Sequence, residues 1–194
     1  MLEEEVVLLD ETGRATGSHP KVSVHHTETP LHLAFSCYAF DERDRLLFTR
    51  RALGKPTWPG VWTNTCCGHP APGEPMLDAI ERRLKDELGV VPRSVRLVLP
   101  RFRYRATMAD GIVENELCPV FVARVTGEPD PRPDEVEAAR WYPWREFAAD
   151  VAARRLDVSP WAQLQVAELV ALGAGPDDWP SGDPADLPPA ALLS

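Results

Sequence analysis

Residues 68–90 read GHPAPGEPMLDAIERRLKDELGV, and the reading of this stretch organises the rest of the chain. Leu77, Ile80, Leu84 and Leu88 recur at the three-to-four-residue spacing of one buried helix face. Pro75 suits the first turn, where a helix leaves its N–H groups unpaired, and Gly89 suits the position just past the end. The spacing therefore predicts a helix that begins at Glu74 and stops before Gly89. Arg83 and Glu87 lie four residues apart beside the apolar stripe, the ordinary arrangement of a helix-surface ion pair.

Upstream of this helix, Val6–Leu9 is a short apolar run closed by a turn at Asp10–Gly13. Leu31–Phe40 reads as one long strand with Leu31, Leu33, Phe35 and Cys37 on one face, and Leu46–Thr49 as the strand returning from the charged turn Asp41–Asp44. Arg50–Gly60 is punctuated by Gly54, Pro56, Pro59 and Gly60 and reads as a loop. Downstream, Val95–Leu99, Arg101–Ala106 and Ile112–Val125 read as strands and Val136–Trp141 as an edge strand. Trp144–Arg155 and Pro160–Leu172 read as closing helices. Strands and helices mix without regular βαβ alternation, which predicts an α+β fold with a layered, mixed β-sheet and flanking helices.

Composition narrows the function. The 194 residues are 44% apolar and 26% charged, as a packed domain requires. A net charge of −9 argues against a nucleic-acid partner, which needs a phosphate-neutralising surface, yet leaves room for a small anion held by a few local cations. No apolar run is long enough to span a bilayer, and Met1–Glu5 lacks the positive charge of a secretory leader. Four cysteines without a CxxC pair make a poor disulfide framework. These features predict a soluble cytoplasmic protein. Residues 173–194 hold five prolines and four aspartates but no Lys, Arg or Glu; they read as a tail, disordered or draped over a single domain of residues 1–172.

Chemistry concentrates in three places. Four of the five histidines lie between His19 and His32, with His69 the fifth, and Glu114 and Glu116 share one face of a predicted strand. Two buried carboxylates that close cannot both stay ionised without a cation or a shared proton, whereas on a solvated face they need neither. Imidazole with carboxylate suits a divalent transition metal or Mn2+ more than Ca2+. In the extended stretch Trp62–Pro70, Cys67 and His69 share a face and Cys66 points away. Both thiols could be small buried hydrophobes, but a cysteine beside glycine, histidine and a cationic loop is in a setting that lowers a thiol pKa. That loop carries Arg50, Arg51 and Lys55, which can offer cations to a phosphate.

The spacing Gly68-x5-Glu74-x7-Arg82 followed by RLKDELGV resembles the Nudix box GX5EX7REUXEEXGU, departing from it at Arg83 and Asp86. Together with His25-x6-His32, Trp58–Asn64, Cys67–Pro70, Tyr104–Ala106 and Glu114–Glu116, the box resembles the type 1 isopentenyl-diphosphate delta-isomerases over about Val6–Trp161. The resemblance implies a Nudix-like fold and an isoprenoid diphosphate substrate whose double bond moves through a tertiary carbocation. It implies that His25 (rather than its neighbour His26), His32, His69, Glu114 and Glu116 ligate one divalent metal: Mn2+, Mg2+ or Zn2+. Cys67 and Glu116 would be the acid/base pair, with Tyr104 assisting Glu116; a metal-bound carboxyl group near neutral pKa would donate and a thiolate accept. Lys21, Arg51, Lys55 and Arg83 would hold the diphosphate, Glu87 a Mg2+ bridging to it, and Trp161 would face the hydrocarbon. A monomer without nucleic-acid or membrane partner is expected. The alternative is a Nudix-type diphosphate hydrolase, which the departures at Arg83 and Asp86 disfavour.

Overall fold

Two runs that read as single strands, Leu31–Phe40 and Ile112–Val125, each break in the middle and serve two different sheets. The computed structural model describes residues 4–194; the first three residues of the leader reading, 1–3, lie outside the described residues. In chain order the elements are β1 (Glu5–Leu9), β2 (Ala15–Pro20), α1 (Lys21–Val24), β3 (His32–Leu33), β4 (Phe35–Phe40), β5 (Arg45–Arg51), β6 (Trp62–Thr63), β7 (Cys66–Gly68) and α2 (Met76–Leu88). There follow β8 (Pro92–Leu99), β9 (Arg103–Thr107), β10 (Val113–Leu117), β11 (Val120–Val125), β12 (Val136–Pro143), α3 (Trp144–Ala152) and α4 (Pro160–Leu172). One sheet runs β2-β1-β3-β10-β9; the other runs β12-β5-β4-β11-β8, with β6 on β5 and β7 on β4.

The two broken runs lie side by side and cross together. β3 pairs in parallel with β10, and β4 in parallel with β11. Between them Ala34 N–H donates to Leu117 O at 2.9 Å and Ser36 N–H to Pro119 O at 3.0 Å, so pairing continues through the switch. Pro119 has no N–H for a ladder, which is why the break falls there in the second run. Continuous apolar character cannot reveal such a break, because both halves are buried.

The second sheet is covered on both sides, giving three layers. Phe35, Cys37 and Ala39 of β4 face α2, where they meet Met76, Ala79, Ile80, Leu84 and Leu88. Tyr38 and Phe40 face the other way, onto Trp144 and Phe147 of α3 and Trp161, Val166 and Leu169 of α4. The helix over residues 76–88 ends as expected, with Gly89 left-handed at φ 66° and its N–H on the carbonyls of Leu84 and Lys85. Its buried face is rotated from the predicted stripe: Arg83 and Glu87 are inside, each 6% exposed, while Leu77 is only partly covered. Gly68 permits this approach, since a Cβ there would sit 3.0 Å from both the Arg83 Cγ and a ring carbon of Phe35.

Residues 173–194 drape over the domain. Trp179 is 3% exposed, stands edge-on to Trp144 with centroids 5.0 Å apart, and donates its indole N–H to Gly173 O at 3.2 Å. Arg96 donates to the carbonyls of Trp179 and Pro176, and the N–H groups of Met76 and Leu77 donate to those of Leu192 and Leu193. Trp179→Ala should therefore cost about 3 kcal/mol, the usual penalty for a buried aromatic, and lower the melting temperature by roughly 6–12 °C. Turnover of the folded fraction should stay within a few-fold of wild type, because no residue from 173 onward lines the cavity described next. Calorimetric unfolding beside an activity assay separates the two effects.

Candidate active site

Where the paired runs cross between sheets, a cavity of about 720 Å3 opens, and three kinds of wall surround it. The first wall is imidazole and carboxylate. His25 caps α1, His32 is on β3, His69 follows β7, and Glu116 on β10 is in register with His32. One donor atom from each of these four lies within 4.8 Å of all the others. Glu116 Oε1 is 3.1 Å from His69 Nε2 and 3.4 Å from His32 Nε2. His26 turns away, its Nδ1 accepting the Glu28 N–H at 3.1 Å, so the choice of His25 is the one the structure brings together with the others.

The donor set fits a divalent cation. Pro30 O lies 2.9 Å from His32 Nδ1, which makes Nδ1 the protonated nitrogen and leaves a lone pair on Nε2. His25 Nε2 and His69 Nδ1 are buried without a hydrogen-bond partner, and His32 Nε2 meets only Glu116. Burial, followed by its histidine neighbour His69, pushes His25 down to about 3, and burial pushes His69 down to about 4; both rings are in the neutral form that binds metal. Burial works against the charge of Glu116, yet the hydrogen bonds and charges of His32 and His69 hold it well below the usual carboxylate range.

Glu114 stands on the same strand face, outside that group of four. Its carboxylate accepts the Tyr104 hydroxyl at 2.6 Å, and burial together with the charge of Glu116 pushes it up to about 7. The Tyr104 hydroxyl thus bonds Glu114, not Glu116, the carboxylate it was expected to assist. The cause is β10–β9 pairing: Tyr104 is in register with Glu116, but its long side chain slants to the diagonal neighbour.

The second wall holds Cys67 and Trp161, joined by a residue to which the sequence reading assigned no role. Asn64 donates through Nδ2 to the carbonyls of Cys37 and Cys66, at 3.0 and 2.8 Å, which settles the orientation of its amide. Its Oδ1 then receives three donors: Thr63 Oγ1 at 2.8 Å, Cys67 Sγ at 3.2 Å and Trp161 Nε1 at 3.2 Å. A carbonyl oxygen only accepts, so the Cys67 thiol carries its proton, and burial pushes that thiol up to about 12. The expected lowered thiol pKa is thus overturned, because the cations near Cys67 are outweighed by its desolvation. On its other side Cys67 meets Ser36 Oγ at 3.3 Å, which Gln165 Nε2 holds at 2.8 Å. Cys66 points away into the α2 core, as the alternation predicts. Trp161 is fully buried, tied to β6 through Ser159, which caps α4 and bonds Thr63 at 2.8 Å.

The third wall is cationic. Lys21, Arg51, Lys55 and Arg83 all line the cavity, with Glu87 among them. Arg51 donates to Thr57 O at 2.9 Å and lies 5.7 Å from the Trp161 ring. Arg50 leaves the group, donating instead to Gly60 O at 2.8 Å. Arg83 is paired with Glu87 inside the protein, not on the helix surface, and its charged form is favoured by Glu87 and Glu135 against the cost of burial. Glu135, Ser36 and Gln165 carried no signal in the sequence, because each acquires meaning only from neighbours many residues away, and Asn64 entered only as the end of the Trp58–Asn64 motif.

The sequence profile of the NUDIX domain matches residues 30–162. The isopentenyl-diphosphate Delta-isomerase of Saccharopolyspora erythraea is 59% identical over 191 residues, covering 98% of both chains. That of Mycolicibacterium vanbaalenii is 57% identical over 90% of this chain and 96% of its own, and that of Rhizobium rhizogenes 53% identical over 97% and 90%. Among solved structures, DR0079 from Deinococcus radiodurans superposes with a TM-score of 0.66 at 16% identity, over 85% of this chain and 98% of its own. A MutT NUDIX hydrolase from Burkholderia pseudomallei gives 0.52 at 22%, over 72% and 98%; at such identities the likeness concerns the fold alone. With the α+β fold matched by these structures and the sequence matched end to end by the isomerases, the chain belongs to the isopentenyl-diphosphate Delta-isomerase family of the Nudix superfamily.

Proposed function

We propose that this enzyme interconverts isopentenyl and dimethylallyl diphosphate by protonating one carbon of the double bond and removing a proton from another, through a tertiary carbocation. The observation that carries the reading is the meeting of proton-transfer groups, a π wall and a cationic seat in one cavity. His25, His32, His69 and Glu116 would hold one divalent cation, with Glu114 as fifth donor, since two buried carboxylates so close call for a positive charge. That cation, Mn2+, Mg2+ or Zn2+, supplies when bound a fixed positive charge beside the carboxylates. Glu87 would hold a Mg2+ at the diphosphate.

Cys67 and Glu116 are the two proton-transfer groups, with Tyr104 acting through Glu114. One must begin loaded and the other empty. The bond from Cys67 to the acceptor Asn64 supports the thiol as the loaded member, the reverse of the thiolate expected from sequence. Lys21, Arg51, Lys55 and Arg83 grip the diphosphate and leave the hydrocarbon toward Trp161, Tyr104 and Cys67. A wall of ring faces and a buried thiol keeps water from the cation, and an indole face attracts it by roughly 0.5–2 kcal/mol. The site is complete within one chain, which supports a monomer. Its substrate class and the absence, among the described residues, of any helix long and apolar enough to cross a membrane accord with a cytoplasmic location.

A hydrolase would need the glutamates of an intact box at positions 83 and 86; position 83 instead holds a buried cation, Arg83, beside Glu87. Purified protein given isopentenyl diphosphate and Mg2+ should yield dimethylallyl diphosphate without free phosphate. Release of phosphate would replace the isomerase with the hydrolase. Trp161→Phe should lose roughly tenfold in kcat with KM unchanged, since an interaction that exists only with the cation is felt in turnover. Full turnover of the folded fraction with a lowered melting temperature would leave Trp161 a core anchor only.

A further inference from the structure

Glu135 stands in the cationic seat and has no part in the chemistry above. It lies just before β12, its backbone held by Ala52 N–H on Glu135 O at 3.0 Å and by its own N–H on Arg132 O at 3.0 Å. Its side chain is 13% exposed. Oε2 accepts from Lys55 Nζ and lies 3.2 Å from Arg83 Nη2, so one oxygen bridges two of the four cations assigned to the diphosphate. Glu87 pairs with the same Arg83 nitrogen, and Glu4 pairs with Lys21 at the far side of the seat. Among the described residues, Arg51 is the one cation of the four without a carboxylate ion pair; its Nε and Nη2 donate to Thr57.

The four cations and the three carboxylates ion-paired with them, Glu4, Glu87 and Glu135, sum to one net positive charge. A free diphosphate monoester carries about three negative charges near neutral pH, and its complex with one Mg2+ about one. The seat matches the complex, and it would leave a free diphosphate about two charges short of compensation in a place where uncompensated charge is costly. We infer that Glu135 is a specificity-determining residue that makes the seat select a metal-complexed diphosphate over a bare one. This rests on the diphosphate reading of the four cations. The physical reason is that Glu135 repels a ligand in proportion to the ligand's charge, so it penalises the free form about three times as heavily as the complex. Lys55 and Arg83 are held at a fixed separation by the same oxygen, so the selectivity needs no movement of the cations.

The test is calorimetric binding of inorganic pyrophosphate, with and without saturating Mg2+, to wild type, Glu135→Gln and Glu135→Asp. Comparison between variants cancels whatever Mg2+ does at the histidine cluster. Wild type should bind at least about tenfold more tightly with Mg2+. Glu135→Gln, similar in shape but neutral, should reduce that ratio about tenfold, mainly by tightening the Mg2+-free binding. Glu135→Asp keeps the charge and should keep the ratio near wild type, an outcome that a merely structural role would not separate from the Gln variant. An unchanged ratio in folded Glu135→Gln overturns the inference while the diphosphate seat stands. Absence of pyrophosphate binding to wild type under both conditions overturns the seat itself, and the inference with it.

Discussion

Cys67→Ala should cost at least about a hundredfold in kcat, within the range set by loss of a general acid or base, while Cys66→Ala keeps most of its turnover. The two neighbours differ because β7 is extended and its side chains alternate. Cys67 reaches the cavity between Asn64 and Ser36; Cys66, 2% exposed, is packed with Cys37 and Phe35 under α2. Removing the Cys66 sulfur opens a small void and should cost stability of about 1 kcal/mol without touching the reacting groups. KM should hardly change in Cys67→Ala, since the diphosphate cations are elsewhere in the cavity. Steady-state kinetics on both variants, with melting temperatures to certify folding, decide the assignment; equal losses of turnover would withdraw it.

Metal content should be near one equivalent for the histidine–glutamate site and should collapse in His69→Ala and in Glu116→Gln. Glu116 Oε1 lies close to two imidazoles at once, so its loss removes a donor and the charge that makes the cluster attractive to a cation. The drop in affinity should exceed the roughly 10–100-fold typical of an outer partner of a metal ligand. Tyr104→Phe removes only such a partner and should retain metal. Glu114→Gln should also lower the content if it is the fifth donor, and retention there would confine the site to His25, His32, His69 and Glu116. His26→Ala should leave metal unchanged. Elemental analysis of each purified variant reads all of these outcomes, and full retention in His69→Ala and Glu116→Gln would remove the cluster as a metal site.

Much of this was legible without coordinates because it is local. The left-handed Gly89 end of α2, the edge strand at 136 and the helix beginning at Pro160 follow from spacing and from what Gly and Pro do to a backbone, whereas α2 starts at Met76, two residues after the expected Glu74. The opposite facing of Cys66 and Cys67 follows from strand alternation alone. Ordered motifs identified the ligand and cation candidates, since several unrelated spacings had to agree at once.

What the sequence by itself determined about this protein is its inventory and its local geometry: which residues could bear the chemistry, and where helices and strands start, stop and alternate. Only the tertiary structure decided which of them meet. Leu31–Phe40 and Ile112–Val125 split between sheets because parallel pairing and Pro119 dictate the crossing, and that crossing sets Glu116 beside His32. Tyr104 bonds Glu114 rather than Glu116, Asn64 joins Cys67 to Trp161, and Glu135 bridges Lys55 and Arg83 from a loop more than fifty residues away from either. The protonated state of Cys67 belongs with these. Proton affinity depends on burial and on the nearest acceptor, and both are properties of packing between distant segments rather than of any spacing along the chain.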